Sequence, residues 1–181
     1  MAAILEPKFC SQCGAPMTKR VPRGDEKPRH ACTRCDFVHY LDPKVACGSI
    51  PEVDGRLVLI RRNIEPRLGC WTFPCGFMEI DETVEEAARR ETEEETGLAV
   101  ELSESLGTFS YPDSWWGGSI VVVVFLSKVV GGNLTAGTDA GEARLFPPEE
   151  VPWDQLAFRS SVSALRAWFA RNGRTPPEPW A

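Results

Sequence analysis

The chain has 181 residues, of which 43% are hydrophobic and 25% charged, with a net charge of −6 and a pI of about 5.1. Such a composition suits a soluble globular protein with one sizeable core and a small appendage. It argues against a dedicated double-stranded nucleic-acid binder, which needs a basic surface. The longest apolar run, residues 120–126, is far too short to span a membrane. The start, MAAILEPKFC, lacks the charged n-region and apolar core of a signal peptide. A cytoplasmic location without membrane partners is therefore expected.

The first recognisable element, residues 1–40, is a cysteine framework. Cys10 and Cys13 form one C-x2-C unit, Cys32 and Cys35 a second, with eighteen residues between them. Two such knuckles supply the four thiolates of a closed tetrahedral zinc site, and Gly14 fits the turn after the first. About forty residues form no stable core unaided, so structural zinc is expected to supply much of the folding free energy. Two redox-active dithiols are the rival reading. His30 and His39 lie nearby, but four cysteines suffice as ligands. Of the other three cysteines, Cys47 is expected to pack as a small hydrophobe and Cys75 to line a site; Cys70 has no assigned role.

The main domain is expected over residues 41–172. Residues 45–53 read as a strand that Pro51 bulges or ends. Asp54-Gly55 signals a hairpin, and residues 57–60 continue as its second strand. Arg61 and Arg62 follow and are candidates to approach phosphates. A helix over residues 84–96 is well marked: Thr83 and Glu86 fit a capping box, and Gly97 stands where a glycine closes a helix. Strands are expected at 98–110, 120–130 and 143–146, with a turn at Gly131-Gly132-Asn133. A closing helix over 160–171 precedes an extended tail, residues 173–181. The alternation of strands with helices predicts an α/β fold with a mixed sheet between helices.

The helix over 84–96 carries the chemistry. Its apolar stripe, Val84, Ala87 and Ala88, turns acidic at Glu91, Glu94 and Glu95, which share one face at i, i+3 and i+4. Glutamate-rich helices are usually solvated surface. Carboxylates on a buried face instead repel one another and lose hydration, a conflict that a hard divalent cation removes. Residues 76–98, GFMEIDETVEEAARRETEEETGL, also fit the pattern G-x5-E-x7-R-E-U-x-E-E-x-G-U, with U aliphatic, at Gly76, Glu82, Arg90, Glu91, Glu94, Glu95, Gly97 and Leu98. Only Thr92 departs, where an aliphatic residue is usual.

This stretch resembles the Nudix box, and the chain is similar to Nudix hydrolases with an N-terminal zinc ribbon. The resemblance implies an α/β/α sandwich preceded by a small zinc ribbon. It implies hydrolysis of a nucleoside diphosphate linked to a further group X, with magnesium or manganese as catalytic cation. Glu91, Glu94 and Glu95 match the metal-binding glutamates, and Arg90 the arginine that orients a neighbouring glutamate. Gly76, Glu82 and Gly97 match supporting box positions. A base is expected from the box itself or from a later loop: Glu142, in GEARLF, matches a later glutamate that contributes to catalysis in relatives, and Asp139 is a second candidate.

As to X, the NADH pyrophosphatases carry S-Q-P-W-P-F-P-x-S after the box, whereas this chain has YPDSWWGGS at residues 111–119. KFCSQCG, CTRCDFVHYLDPK, IRRNIEP, EARLF and LAFRSS look closer to a branch acting on FAD and ADP-ribose, with AMP as product. Trp115 and Trp116 are candidates to stack on an adenine or flavin ring, and Arg62 to meet phosphate. NADH or NAD-cap hydrolysis and a non-catalytic ADP-ribose sensor are the alternatives. The resemblance also implies a homodimer and a dinucleotide or nucleotide-sugar substrate.

Overall fold

The computed structural model describes residues 6–114 and 118–177. The chain divides into two compact units, Met1–Pro43 with Pro112–Ser119, and Lys44–Tyr111 with Ile120–Ala181.

In the first unit, β1 (Met17–Arg20), β2 (Arg29–Cys32) and β3 (Val38–His39) form an antiparallel sheet in that order. Its apolar cluster has only three buried members, Cys10, Ala15 and Cys32, with Cys13, Met17, Cys35 and Phe37 packed against them. Two of the three are cysteines of the paired knuckles, so among the described residues little of this cluster exists apart from the cysteine site.

The second unit carries β4 (Lys44–Val53), β5 (Arg56–Arg62), β6 (Trp71–Thr72), β7 (Cys75–Phe77), α1 (Val84–Thr96), β8 (Leu98–Tyr111), β9 (Ile120–Gly132), β10 (Ala140–Phe146) and α2 (Arg159–Arg171). The sheet runs β10-β5-β4-β9-β8, with β6 beside β5 and β7 beside β4. It is mixed: β4 and β9 are parallel, and the other pairs antiparallel. Side chains alternate across it. Ala46, Ile50, Val122 and Val124 pack with Ala164, Leu165, Trp168 and Phe169 of α2. Val45, Cys47, Val123 and Phe125 pack with Ala87 and Ala88 of α1. The two helices therefore cover opposite faces, giving the α/β/α sandwich. Cys47 is fully buried in this apolar setting, and burial pushes its thiol up to about 11. Among the described residues no helix is long and apolar enough to cross a membrane.

The hairpin at Asp54-Gly55 forms with φ of 51° and 74°, the left-handed pair of a two-residue turn. Two local expectations are corrected. Pro51 neither ends nor breaks β4, which runs on to Val53. The antiparallel partner of β4 changes there, from β7 at Ala46–Gly48 to β5 at Glu52–Val53, and Pro51 belongs to neither ladder. Gly131 and Gly132 are not a turn but the end of β9, opposite Ala99 and Leu98. A Cβ on Gly132 would stand 2.2 Å from the Gly97 carbonyl oxygen, so the glycine is there for close approach.

Candidate active site and zinc ribbon

Helix α1 is fixed at both ends. The Thr83 hydroxyl accepts the Glu86 N–H at 3.2 Å, and the Glu86 carboxylate accepts the Thr83 N–H at 2.8 Å. Gly97 closes the helix at φ 68°. Ala87, Ala88, Thr92 and Thr96 face inward, and Glu91 and Glu95 flank that buried row.

Pairing of β4 with β7 sets Cys75 and Gly76 opposite Gly48 and Cys47, beneath α1. The Cys75 N–H donates to Glu95 at 2.8 Å. Burial, followed by the nearby Glu91 charge, lifts the Glu95 carboxyl to about 8 against the opposing Cys75 N–H. Burial raises Glu91 as well. Arg90 organises the other side. It donates to Glu82 at 2.9 and 2.5 Å, to Glu91 at 2.7 Å, to Glu94 at 3.0 Å and to the Phe77 carbonyl at 3.1 Å. Its hydrogen bonds hold Glu82 ionised down to about 2. The Glu94 side chain is 58% exposed.

The donor set suits a hard divalent cation: Glu91 and Glu95 are carboxylates in a setting that penalises their charge, and Arg90 is shared among three acids. The three box carboxylates do not converge on one point. Arg90 draws Glu91 and Glu94 to itself, while Glu95 turns to Cys75.

Gly76 leaves room for Glu91. A Cβ there would lie 2.2–2.4 Å from the Glu91 carboxyl atoms. The obstructing group is the end of a flexible side chain, so Gly76→Ala displaces Glu91 more than it strains the fold. Its expected result is a turnover loss of about tenfold or more with a small drop in Tm, read from kcat and a thermal melt on the same preparation. Unchanged kcat would contradict this role of the glycine.

Of the remaining predicted residues, Asp139 and Arg62 stand near Glu95, whereas Glu142 faces Arg61. Glu142 lies on β10 opposite Arg61, its carboxylate 4.0 Å from that guanidinium. Asp139 is among the charges that raise Glu95, and its carbonyl accepts the Asn63 N–H at 2.9 Å. Arg62 donates to the Pro66 carbonyl at 2.9 Å and stands over the Phe158 ring at 5.0 Å. It thus braces the 63–69 segment while its charge faces Glu95 and Asp139. Trp115 and Trp116 lie outside the described residues. Sequence reasoning missed the Cys75 N–H and two buried serines, Ser49 and Ser127. A hydroxyl inside each apolar strand was the available signal.

In the ribbon, Cys10, Cys13, Cys32 and Cys35 bring their sulfurs within 4.8 Å of one another, the one such ligand group among the described residues. The separations are 3.8 Å for Cys10–Cys35, 3.4 Å for Cys13–Cys32 and 3.6 Å for Cys13–Cys35. A tetrahedron with zinc–sulfur bonds of about 2.3 Å has edges of about 3.8 Å, so the cluster fits zinc. The N–H groups of Arg34 and Cys35 both donate to the Cys32 sulfur at 3.3 Å, and the Arg34 contact leads in pulling that thiol down to about 6. His30 and His39 stay outside the group.

An α/β/α sandwich with this acidic, arginine-braced helix suits the hydrolysis of phosphoanhydrides with a divalent metal. A NUDIX domain model matches residues 42–169, and a Nudix N-terminal (zinc ribbon) model matches residues 8–41. The chain belongs to the Nudix hydrolase family. It is 45% identical over 119 residues to an ADP-ribose pyrophosphatase of Methanocaldococcus jannaschii, covering 66% of this chain and 69% of that protein. It is 26% identical over 147 residues to the NAD-capped RNA hydrolase NudC of Vibrio atlanticus, spanning 80% of this chain but only 51% of that protein. A NUDIX hydrolase from Nitrosomonas europaea has a similar structure, with a TM-score of 0.84 and 38% identity over 93% of this chain and 95% of that one.

Proposed function

We propose that the protein is a magnesium-dependent pyrophosphohydrolase that cleaves ADP-ribose or FAD and releases AMP. The observation that carries the reaction is the pair of half-buried carboxylates, Glu91 and Glu95, set against Cys75 and Gly76. The 45% identity to a relative named ADP-ribose pyrophosphatase supports the substrate. Glu91, Glu94 and Glu95 would hold the magnesium, with manganese as a substitute. Divalent cations bound there supply charge neutralisation for the diphosphate and for the charge that develops as it is displaced.

Arg90 orients Glu91 and Glu94, and Glu82 holds Arg90. A carboxylate from the 139–142 stretch takes the proton of the attacking water. Both Asp139 and Glu142 remain candidates, and Asp139 has the support of its electrostatic contact with Glu95. The water oxygen bonds to one phosphorus, the bridging P–O bond breaks, and two phosphomonoesters leave. These are AMP with ribose 5-phosphate from ADP-ribose, or AMP with FMN from FAD. Arg62, Trp115 and Trp116 are assigned to substrate binding. Residues 1–40 form the zinc ribbon, 41–172 the catalytic domain and 173–181 a tail. The working form is a cytoplasmic homodimer.

The second reading, hydrolysis of NAD(H) or of NAD-capped RNA, rests on the matches to NudC proteins. A substrate panel separates the two. ADP-ribose, FAD, NADH and an NAD-capped oligonucleotide are incubated with the full chain, with and without magnesium. AMP is expected from ADP-ribose or FAD at about ten times the kcat/KM of the other two, and only with magnesium. Faster cleavage of the capped oligonucleotide, or no turnover of any member, would overturn the proposal.

A further inference from the structure

Thr92, the position that departs from the box pattern, is fully buried, and its hydroxyl is engaged. It donates to the Ala88 carbonyl at 2.7 Å. Its oxygen is therefore free to accept the Ser49 hydroxyl at 2.8 Å, and the Ser49 oxygen accepts the Ser127 hydroxyl at 2.9 Å. All three residues are at most 4% exposed. The chain runs one way, Ser127 to Ser49 to Thr92 to carbonyl, and every proton is used once. It crosses from β9 through β4 to α1. The Ser49 N–H also donates to the Pro74 carbonyl at 3.2 Å, one residue before the N–H that holds Glu95. Ser49 thus ties the helix through its side chain and the segment beneath it through its backbone.

An aliphatic side chain at position 92 would pack without direction, whereas a hydrogen bond fixes separation and angle. We propose that the Ser127–Ser49–Thr92 hydroxyl chain is a positioning device that sets the height of α1 on the sheet, and so the height at which Glu91 and Glu95 face Cys75 and Gly76. These are positioning residues: they act through Glu91 and Glu95, one residue before and three residues after Thr92 on α1. The inference rests on reading those glutamates as cation ligands. A merely structural role, satisfying buried hydroxyls, would affect stability alone.

The test uses the full chain and follows free Mn2+ by electron paramagnetic resonance beside steady-state kinetics. Thr92→Val keeps the shape, loses the bond to Ala88 and leaves the Ser49 proton without its acceptor. It is expected to weaken Mn2+ binding about tenfold and lower kcat about tenfold, with KM for the nucleotide unchanged. Thr92→Ser, which restores the hydroxyl, should stay within about twofold of wild type on both readouts. Ser49→Ala should move them in the same direction as Thr92→Val, and the double variant should lose less than the sum of the singles. Should Thr92→Val fail to fold, Ser49→Ala carries the test, because it leaves the helix sequence intact. Lower Tm with Mn2+ affinity and kcat at wild-type values would overturn the positioning role alone. A wild type that binds no Mn2+ would overturn it together with the reading of the glutamates.

Discussion

Glu95→Gln is expected to lower turnover by roughly 10²–10³-fold while the protein keeps its fold. The glutamine oxygen can still accept the Cys75 N–H that Glu95 accepts at 2.8 Å, so the local geometry survives. The substitution removes only the charge that a divalent cation would meet. The pH dependence follows from the same environment. Burial lifts the Glu95 carboxyl to about 8, so a cation must displace a proton there below that pH. Activity should rise toward pH 8, and the variant should lack that limb. The stability sign is the reverse of that for an ion-paired carboxylate such as Glu82, whose pKa is lowered on folding. Without cations, the folded protein keeps a proton that the unfolded chain releases above about pH 4.5, so stability falls as pH rises from there to about 8. Glu91, raised in the same direction, adds to the fall. Tm measured without magnesium should therefore decline over this window, and added magnesium should offset the decline. A variant with wild-type turnover, or a flat Tm in the absence of cations, would contradict this.

Removal of zinc should be the second large effect. Among the described residues, the ribbon's buried apolar cluster is Cys10, Ala15 and Cys32, too little to order a three-stranded sheet. Structural zinc contributes about 10–16 kcal/mol to comparable small domains. Cys13→Ser or exhaustive chelation should abolish hydrogen-exchange protection across β1 to β3. The catalytic unit, which has its own core around Ile50, Leu59, Phe73 and Leu165, should keep its protection. Elemental analysis should find one zinc per wild-type chain. Zinc-free protein with a protected ribbon sheet would contradict the assignment.

What the sequence made legible was local. The capping box at Thr83 and Glu86, the helix-closing Gly97, the Asp54-Gly55 turn and the paired cysteines each act within a few residues, and the structure forms all four features. Strand pairing was less legible, because it depends on partners far along the chain. Gly131-Gly132 carries the residues of a turn, yet the approach of Gly97 is what demands glycine there. Pro51 has the chemistry of a strand breaker and survives because β4 changes partner beside it. In the site, the row of glutamates was plain from spacing. The reach of Arg90 to three carboxylates and a carbonyl, and the link from Ser49 to Thr92, exist only once the sheet and α1 are packed together. Arg62 shows the same limit: nothing in its local sequence signals that its guanidinium meets the Pro66 carbonyl and the Phe158 ring.

Titration calorimetry of magnesium into wild type and Glu95→Gln at pH 8 most directly tests whether the half-buried acidic face of α1 is a cation site. Saturable binding by wild type, weakened at least about tenfold in the variant, is the predicted result. Equal affinity in the two proteins, or no binding by wild type, would contradict it.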